Sequence, residues 1–189
     1  MNYTDEEIVK MVLAGKKELF GMLVDRYQLP IYNLMLRCAG SGEDAADLTQ
    51  DAFVRAFDRL PKFHGDRRFF SWLYSLALNL LRDWQRKKTT RRAKHHLLEH
   101  EALDYGKEVS QDFGPEDRED LHLLEKALFH LPSHTREILI FRYRHGCSIK
   151  EVAKAFKISE SAAKMRLKRG IEQLRDMFEQ EDTNESQKN

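Results

Sequence analysis

The sequence predicts an all-α protein: two small helical domains joined by a flexible charged linker, the second containing a helix-turn-helix. Three observations predict it. Apolar residues recur at i, i+3, i+4 and i+7 through most of the chain, and no stretch keeps the alternation that a strand needs. The periodicity lapses between Thr89 and Pro115, where charges dominate and Gly106, Gly114 and Pro115 interrupt. Beyond the lapse it resumes and closes with a short helix, a turn and a longer basic helix. The expected divisions are a first domain over 1–90, a linker over 91–116, a second domain over 117–180 and a polar tail over 181–189.

Each element has a local reason. Thr4 and Glu7 have the capping-box spacing, and Ile8, Met11 and Val12 mark one face of the helix they open. A second helix spans 18–38, with Leu19, Phe20, Leu23, Val24, Tyr27, Ile31, Leu34, Met35 and Cys38 at helical spacing. Pro30 falls inside it, removes one backbone bond and should kink or divide it. Gly40, Ser41 and Gly42 break the chain. A third helix, over 43–60, buries Ala45, Leu48, Thr49, Ala52, Phe53, Ala56, Phe57 and Leu60 and ends at Pro61.

A loop leads to a fourth helix over 69–88, with Trp72, Leu73, Leu76, Ala77, Leu80 and Trp84 as its apolar positions. A helical piece is expected within 93–103. Leu121, Leu124, Leu128 and Leu131 begin the second domain's first helix, which Pro132 stops. Ser133 is expected to cap the next, with Ile138, Leu139 and Phe141 inside and Gly146 at its end. Ser148 and Glu151 form a second capping box, and Ser159 caps the last helix with its stripe of Ala163, Leu167, Ile171 and Leu174. The end, 179–189, is polar and expected to fray.

Charge is segregated along the chain. The net charge of +1 over 189 residues hides a basic block over 85–96 and an acidic one over 97–120. The two cysteines, Cys38 and Cys147, have no metal or redox spacing, which suits a reducing compartment. The first seventeen residues carry acids and lack an apolar signal core, and no apolar run reaches membrane-span length. A cytoplasmic protein without membrane insertion is expected.

Three surfaces invite function. The helix-turn-helix places Lys164, Arg166, Lys168 and Arg169 on its second helix and Ser159, Glu160 and Ser161 at that helix's start. Small polar residues suit the approach to phosphate, and long donors suit base edges in a major groove. A basic solvated helix in a bundle is the plainer alternative. Phe63, Arg67, Arg68, Phe69, Phe70, Ser71 and Trp72 interleave rings and cations, as single-stranded DNA requires for stacking and charge. Trp72, Leu73, Leu76 and Trp84 also fit a simple core. Arg67, Arg68 and Asn79 do not belong on an apolar face. Asp44, Asp47, Gln50, Asp51 and Asp58 on the third helix repel DNA, so that face would meet protein or only water. His96 and His100 are four apart and His95 adjoins them, but no pattern completes a metal site. No phosphate loop or nucleophile–base pairing occurs.

These blocks resemble a bacterial RNA polymerase sigma factor of the compact extracytoplasmic-function group. The resemblance is carried by Leu19-Phe20, Tyr27 and Ile31-Tyr32; by Asp44-Ala45-Ala46-Asp47-Leu48-Thr49-Gln50-Asp51-Ala52-Phe53; by Phe69-Phe70-Ser71-Trp72-Leu73-Tyr74 with Ala77, Asn79 and Asp83; and by Leu131-Pro132 with Arg136-Glu137 before the helix-turn-helix. It covers nearly the whole chain, and the order and spacing of the blocks are more specific than any one of them.

The resemblance implies an alternative sigma factor and not an enzyme, with no cofactor, metal or small-molecule substrate. Its partners would be core RNA polymerase, promoter DNA and an anti-sigma factor. Asp44, Asp47, Leu48, Gln50, Asp51 and Phe53 would dock on the coiled coil of the polymerase's largest subunit. Phe63, Arg67, Arg68, Phe69, Phe70, Ser71 and Trp72 would capture a flipped base of the downstream promoter element, with Asn79, Arg82 and Arg86 facing that element. The last helix, through Ser159, Glu160, Ser161, Lys164, Arg166, Lys168 and Arg169, would read the upstream element, and its domain would dock on the polymerase flap. The acidic linker would thread toward the active-site and RNA-exit channels. The chain departs from the family at Lys157, where glycine is usual, and at Ser161-Ala162-Ala163, where Gly-Thr-Val is frequent. A non-glycine residue in a left-handed turn costs roughly 1 kcal/mol or more.

Two rival readings remain at this level. One is a promoter-binding regulator with an unrelated helical sensor domain; the other is a metal-dependent helical enzyme using His95, His96 and His100.

Overall fold

The computed structural model describes residues 3–65, 68–94 and 115–186. Among these residues the protein is helical, with no strand. Two compact units emerge, Met1–Leu103 and Asp104–Asn189.

The first unit holds α1 (Asp5–Leu13), α2 (Phe20–Ala39), α3 (Gly42–Arg59) and α4 (Phe69–Lys94), with 3-10 turns at Lys17–Leu19 and Leu60–Lys62. Thr4 closes the expected capping box: its amide donates to Glu7 Oε2 at 2.7 Å, and the Glu7 amide donates back to Thr4 Oγ1 at 3.3 Å. Pro30 lies inside α2 without dividing it. Gly40 ends α2 in the left-handed region, and Ser41 caps α3 by accepting from the Asp44 amide at 3.3 Å. α2 and α3 form the largest helix pairing, and α4 packs on both. Ile8, Leu23, Ile31, Leu34, Met35, Ala45, Ala52, Ala56, Phe69, Leu73, Tyr74 and Ala77 are fully buried between them. α4 runs six residues past its expected end at Lys88, because lysine, arginine and alanine sustain a helix without an apolar stripe.

The second unit holds α5 (Pro115–His130), α6 (Ser133–Leu139), a π-wound turn at Ile140–Arg144, α7 (Ile149–Phe156) and α8 (Glu160–Ser186). Ser133 does not cap α6. It is the first helical residue, and the Pro132 carbonyl takes both the Thr135 and Arg136 amides at 2.9 and 3.0 Å. The helix after Pro132 widens at Ile140, so that its final turn bonds at π spacing. α8 extends to Ser186, past the point at which the polar tail was expected to fray. Ile138, Phe141, Cys147, Val152 and Ala163 form the fully buried centre, with the Phe141 and Phe156 rings 5.9 Å apart. Arg136 and Glu137 are buried beside them, 3.8 Å apart, and the Arg136 guanidinium lies over the Phe129 ring.

Candidate functional site

The helix-turn-helix is formed as the spacing predicts. Ser148 opens α7 with a capping box: its amide donates to Glu151 Oε2 at 2.8 Å, and its hydroxyl accepts from the Glu151 amide at 3.2 Å. Lys157 ends α7 at φ 55°, ψ 47°, inside the left-handed region. The turn thus keeps a geometry that favours glycine while carrying a lysine, at a cost of roughly 1 kcal/mol. Ser159 accepts from the Ala162 amide at 3.1 Å and starts α8.

α8 turns Ala163, Leu167 and Gly170 inward. Ser159, Glu160, Ser161, Lys164, Lys168 and Arg169 are exposed. Ser161, Lys164 and Lys168 fall on one stripe, joined by Met165, whose exposure of 51% the sequence reading overlooked. Arg166 is half-buried and lies off that stripe. Lys168 also makes an exposed pair with Glu172 at 3.7 Å. A shallow groove flanks Lys164 and Lys168, with Arg142 and Tyr143 on its far wall.

α3 presents Asp47, Gln50, Asp51 and Asp58 to solvent. Asp44, half-buried, pairs with Lys88 of α4 at 3.2 Å, and that ammonium also lies 4.3 Å above the Trp84 ring. Leu48 and Phe53 were expected to take part in docking, yet both face the core, at 4% and 6% exposure. They pack α3 against the rest of the unit, and the exposed acids beside them form its outer face. Val54, which the sequence reading missed, is 53% exposed. It falls in line with Asp47, Asp51 and Asp58 at helical spacing, so one apolar side chain sits inside the acidic stripe.

The ring-bearing segment differs from the expectation in its burial. Phe63, Phe69, Phe70, Ser71 and Trp72 were expected to line a pocket, and all five are buried. Phe63, Phe69 and Trp72 form a mutual cluster with centroids 5.2 to 5.8 Å apart. These rings are enclosed and do not open toward solvent. His64, Gly65 and Arg68 of the loop are exposed, and Arg67 lies outside the described residues.

Along α4, Asn79 is half-buried and Arg82, Asp83 and Arg86 are exposed, one helical face in register. Arg82 Nη1 donates to Asn79 Oδ1 at 3.1 Å, and Arg86 pairs with Asp83 at 3.5 Å. Partial desolvation lowers the Arg82 pKa from its ordinary value, which still leaves an arginine charged at neutral pH. The structure therefore leaves Arg68, Arg82 and Arg86 exposed on α4 and the residue that leads into it, with Asn79 half-buried on the same helical face.

His95, His96 and His100 lie outside the described residues, as does most of the acidic linker. Among the described residues no group of His, Cys, Asp and Glu is arranged to hold a metal ion. No described helix is long and apolar enough to cross a membrane.

Comparison with known proteins follows the same division. Residues 23–91 match the family model for sigma-70 region 2, and residues 121–174 match that for sigma-70 region 4. The ECF RNA polymerase sigma factor SigW of Bacillus subtilis is 30% identical, over 88% of this chain and 92% of that protein. The ECF RNA polymerase sigma-E factor of Escherichia coli K12 is 30% identical, over 79% of this chain and 81% of that protein. Among solved structures, the sigma factor RpoE of Bartonella quintana, in complex with the anti-sigma factor NepR, superposes with a TM-score of 0.68. It is 19% identical and covers 85% of this chain and 96% of that one, a likeness of fold.

Proposed function

The chain belongs to the extracytoplasmic-function group of sigma-70 RNA polymerase sigma factors, and from that premise we propose how its surfaces divide the work of initiation. The exposed acids of α3, with Asp47, Gln50 and Asp51 at their centre, capture core polymerase. The loop over 64–68 and the Asn79–Arg82–Arg86 face engage the opened downstream promoter element. The Ser161–Lys164–Lys168 face of α8 reads the upstream element in duplex form. DNA opens by binding energy alone, because holding the displaced strand shifts the equilibrium toward the melted state. The free protein is held in the cytoplasm by an anti-sigma factor that covers these same faces.

The observation that carries this reading is the separation of charge by element. The exposed stripe Asp47–Asp51–Asp58 of α3 is acidic, while the Asn79–Arg82–Arg86 face of α4 and the Ser161–Lys164–Lys168 face of α8 carry cations. A surface that repels phosphate is suited to protein, and surfaces that attract it are suited to DNA.

The test is transcription from defined promoters by core polymerase lacking any specificity subunit. Adding the folded chain, free of inhibitor, should confer discrete start sites. A folded chain that binds polymerase and confers none overturns the reading.

A further inference from the structure

α1 precedes the segment matched by the region 2 family model, which begins at residue 23. It is nevertheless tied to the floor of packed aromatic rings. The Asp5 carboxylate accepts from two donors on α2: Arg26 Nη1 reaches Oδ1 at 2.7 Å, and the Tyr27 hydroxyl reaches Oδ2. Arg26 Nη2 donates further to the Tyr3 carbonyl at 2.5 Å. The pair is partly desolvated, with side-chain exposures of 29% for Arg26 and 15% for Asp5. Hydrogen bonds to a charged acceptor in such a setting are roughly twice as strong as neutral ones.

Tyr27 is the link between this clasp and the rings. Its ring centroid lies 5.2 Å from Phe70 and 5.9 Å from Phe69. Phe69 in turn meets Phe63 and Trp72, which flank the loop on either side. α1 also packs on the 3-10 turn Leu60–Lys62, where the approach to the loop begins. Burial, and then the Asp5 contact, push the Tyr27 phenol above its ordinary pKa, so it remains a donor at neutral pH. The clasp thus reaches the loop by two routes, through the rings and through its root.

We propose that Asp5 is a positioning residue for promoter opening: by fixing the Tyr27 hydroxyl it sets the ring floor beside which the exposed His64, Gly65 and Arg68 engage the displaced DNA strand. The proposal rests on the assignment of that loop to DNA opening. Asp5 itself touches no DNA. A side chain held by packing and a directional hydrogen bond gives a precise site, and one held by packing alone gives a loose one. A looser floor leaves duplex recognition by α8 and capture of polymerase by α3 untouched, and it slows only the melting step.

The experiment uses holoenzyme reconstituted from the full chain and core polymerase. Wild type is compared with Asp5→Ala, Asp5→Asn, Tyr27→Phe and the double variant Asp5→Ala/Tyr27→Phe. Polymerase affinity and the rate of strand opening are measured separately. Asp5→Ala and Tyr27→Phe should each slow opening by about threefold to tenfold, because only part of the hydrogen bond's worth is expressed in the melting step. Polymerase affinity should not change. The double variant should be no slower than the worse single one, and Asp5→Asn should recover part of the rate.

Equal opening rates in wild type and variants overturn the proposal alone. So does a loss of polymerase affinity in parallel with opening, which marks a clasp that only stabilises the fold. Should Asp5→Ala fail to fold, Tyr27→Phe and Asp5→Asn decide by the same criteria, since both keep the packing. A wild-type holoenzyme that opens no promoter overturns the loop assignment and this proposal with it.

Discussion

Replacing Gly170 with alanine tests how closely α8, the proposed DNA-reading helix, is seated on α6. A Cβ at this position would stand 2.8 Å from Thr135 Cγ2 and 3.0 Å from Leu139 Cδ1. Carbon atoms in contact prefer about 3.5–4.0 Å, so at least one group must move by the better part of an ångström. Neither has room: Thr135 is 7% exposed and Leu139 4%. Threonine is also stiff at χ1. Overpacking of this kind costs about 1–3 kcal/mol. Alanine's better helix propensity returns about 1 kcal/mol. The net destabilisation is therefore about 0–2 kcal/mol, and the sharper quantity is the coupling. Thr135→Ser removes Cγ2, so the pair Gly170→Ala/Thr135→Ser should be more stable than the sum of the single changes by about 1 kcal/mol. Both tryptophans, Trp72 and Trp84, lie in the other unit. The assay is therefore hydrogen exchange of α6 and α8 amides, which reads the second unit directly. If Gly170→Ala stabilises by its full propensity gain and shows no coupling to Thr135, the close approach of the two helices is wrong.

Other consequences can be checked in the same preparations. Asp51→Arg should weaken polymerase binding by about tenfold or more. The fold should survive because the side chain is exposed, and unaltered affinity removes α3 from the interface. Lys168→Ala should lower duplex affinity and reduce the slope of log affinity against log salt by about one phosphate contact. Its exposed pair with Glu172 contributes at most about 1 kcal/mol, so folding is not in question. Tyr27 should make stability fall on the alkaline side. Below the ordinary tyrosine value of 10.0 the phenol is protonated in both states and its contribution is complete. Above it the unfolded chain loses the proton first, and stability declines. Ultraviolet titration of the six tyrosines should show a late-ionising component, and Tyr27→Phe should reduce it by one phenol. Six tyrosines ionising together would refute the burial of the Tyr27 hydroxyl against Asp5.

Much of the architecture was legible because it is local. The Thr4, Ser148 and Ser159 caps declare themselves within four residues, and the stripe of α3 follows from helical spacing alone. What was not legible depends on distant parts of the chain. Ser133 has the right chemistry for a cap, yet the Pro132 carbonyl already satisfies the amides it would have served. Phe63 and Phe69 follow Lys62 and Arg68 in the sequence, and only the arrival of α2 and its Tyr27 encloses Phe69 and Phe70. The ends of α4 and α8 ran long because polar helix formers leave no periodic mark. Asp5 was legible as an acid in the first turn of α1, but its partners Arg26 and Tyr27 are a full helix away. Val54 could have been found, since it shares the spacing of Asp47, Asp51 and Asp58.

The enclosure of Phe63, Phe69, Phe70 and Trp72 restricts how the protein can diverge. A residue that supports the interior cannot drift without loss of stability, so these four positions are poor places for lineages to acquire new sequence preferences. Arg68, Asn79, Arg82 and Arg86 carry no such burden. A duplicated gene acquiring a different set of targets has more freedom there, on the rim, than in the packed floor.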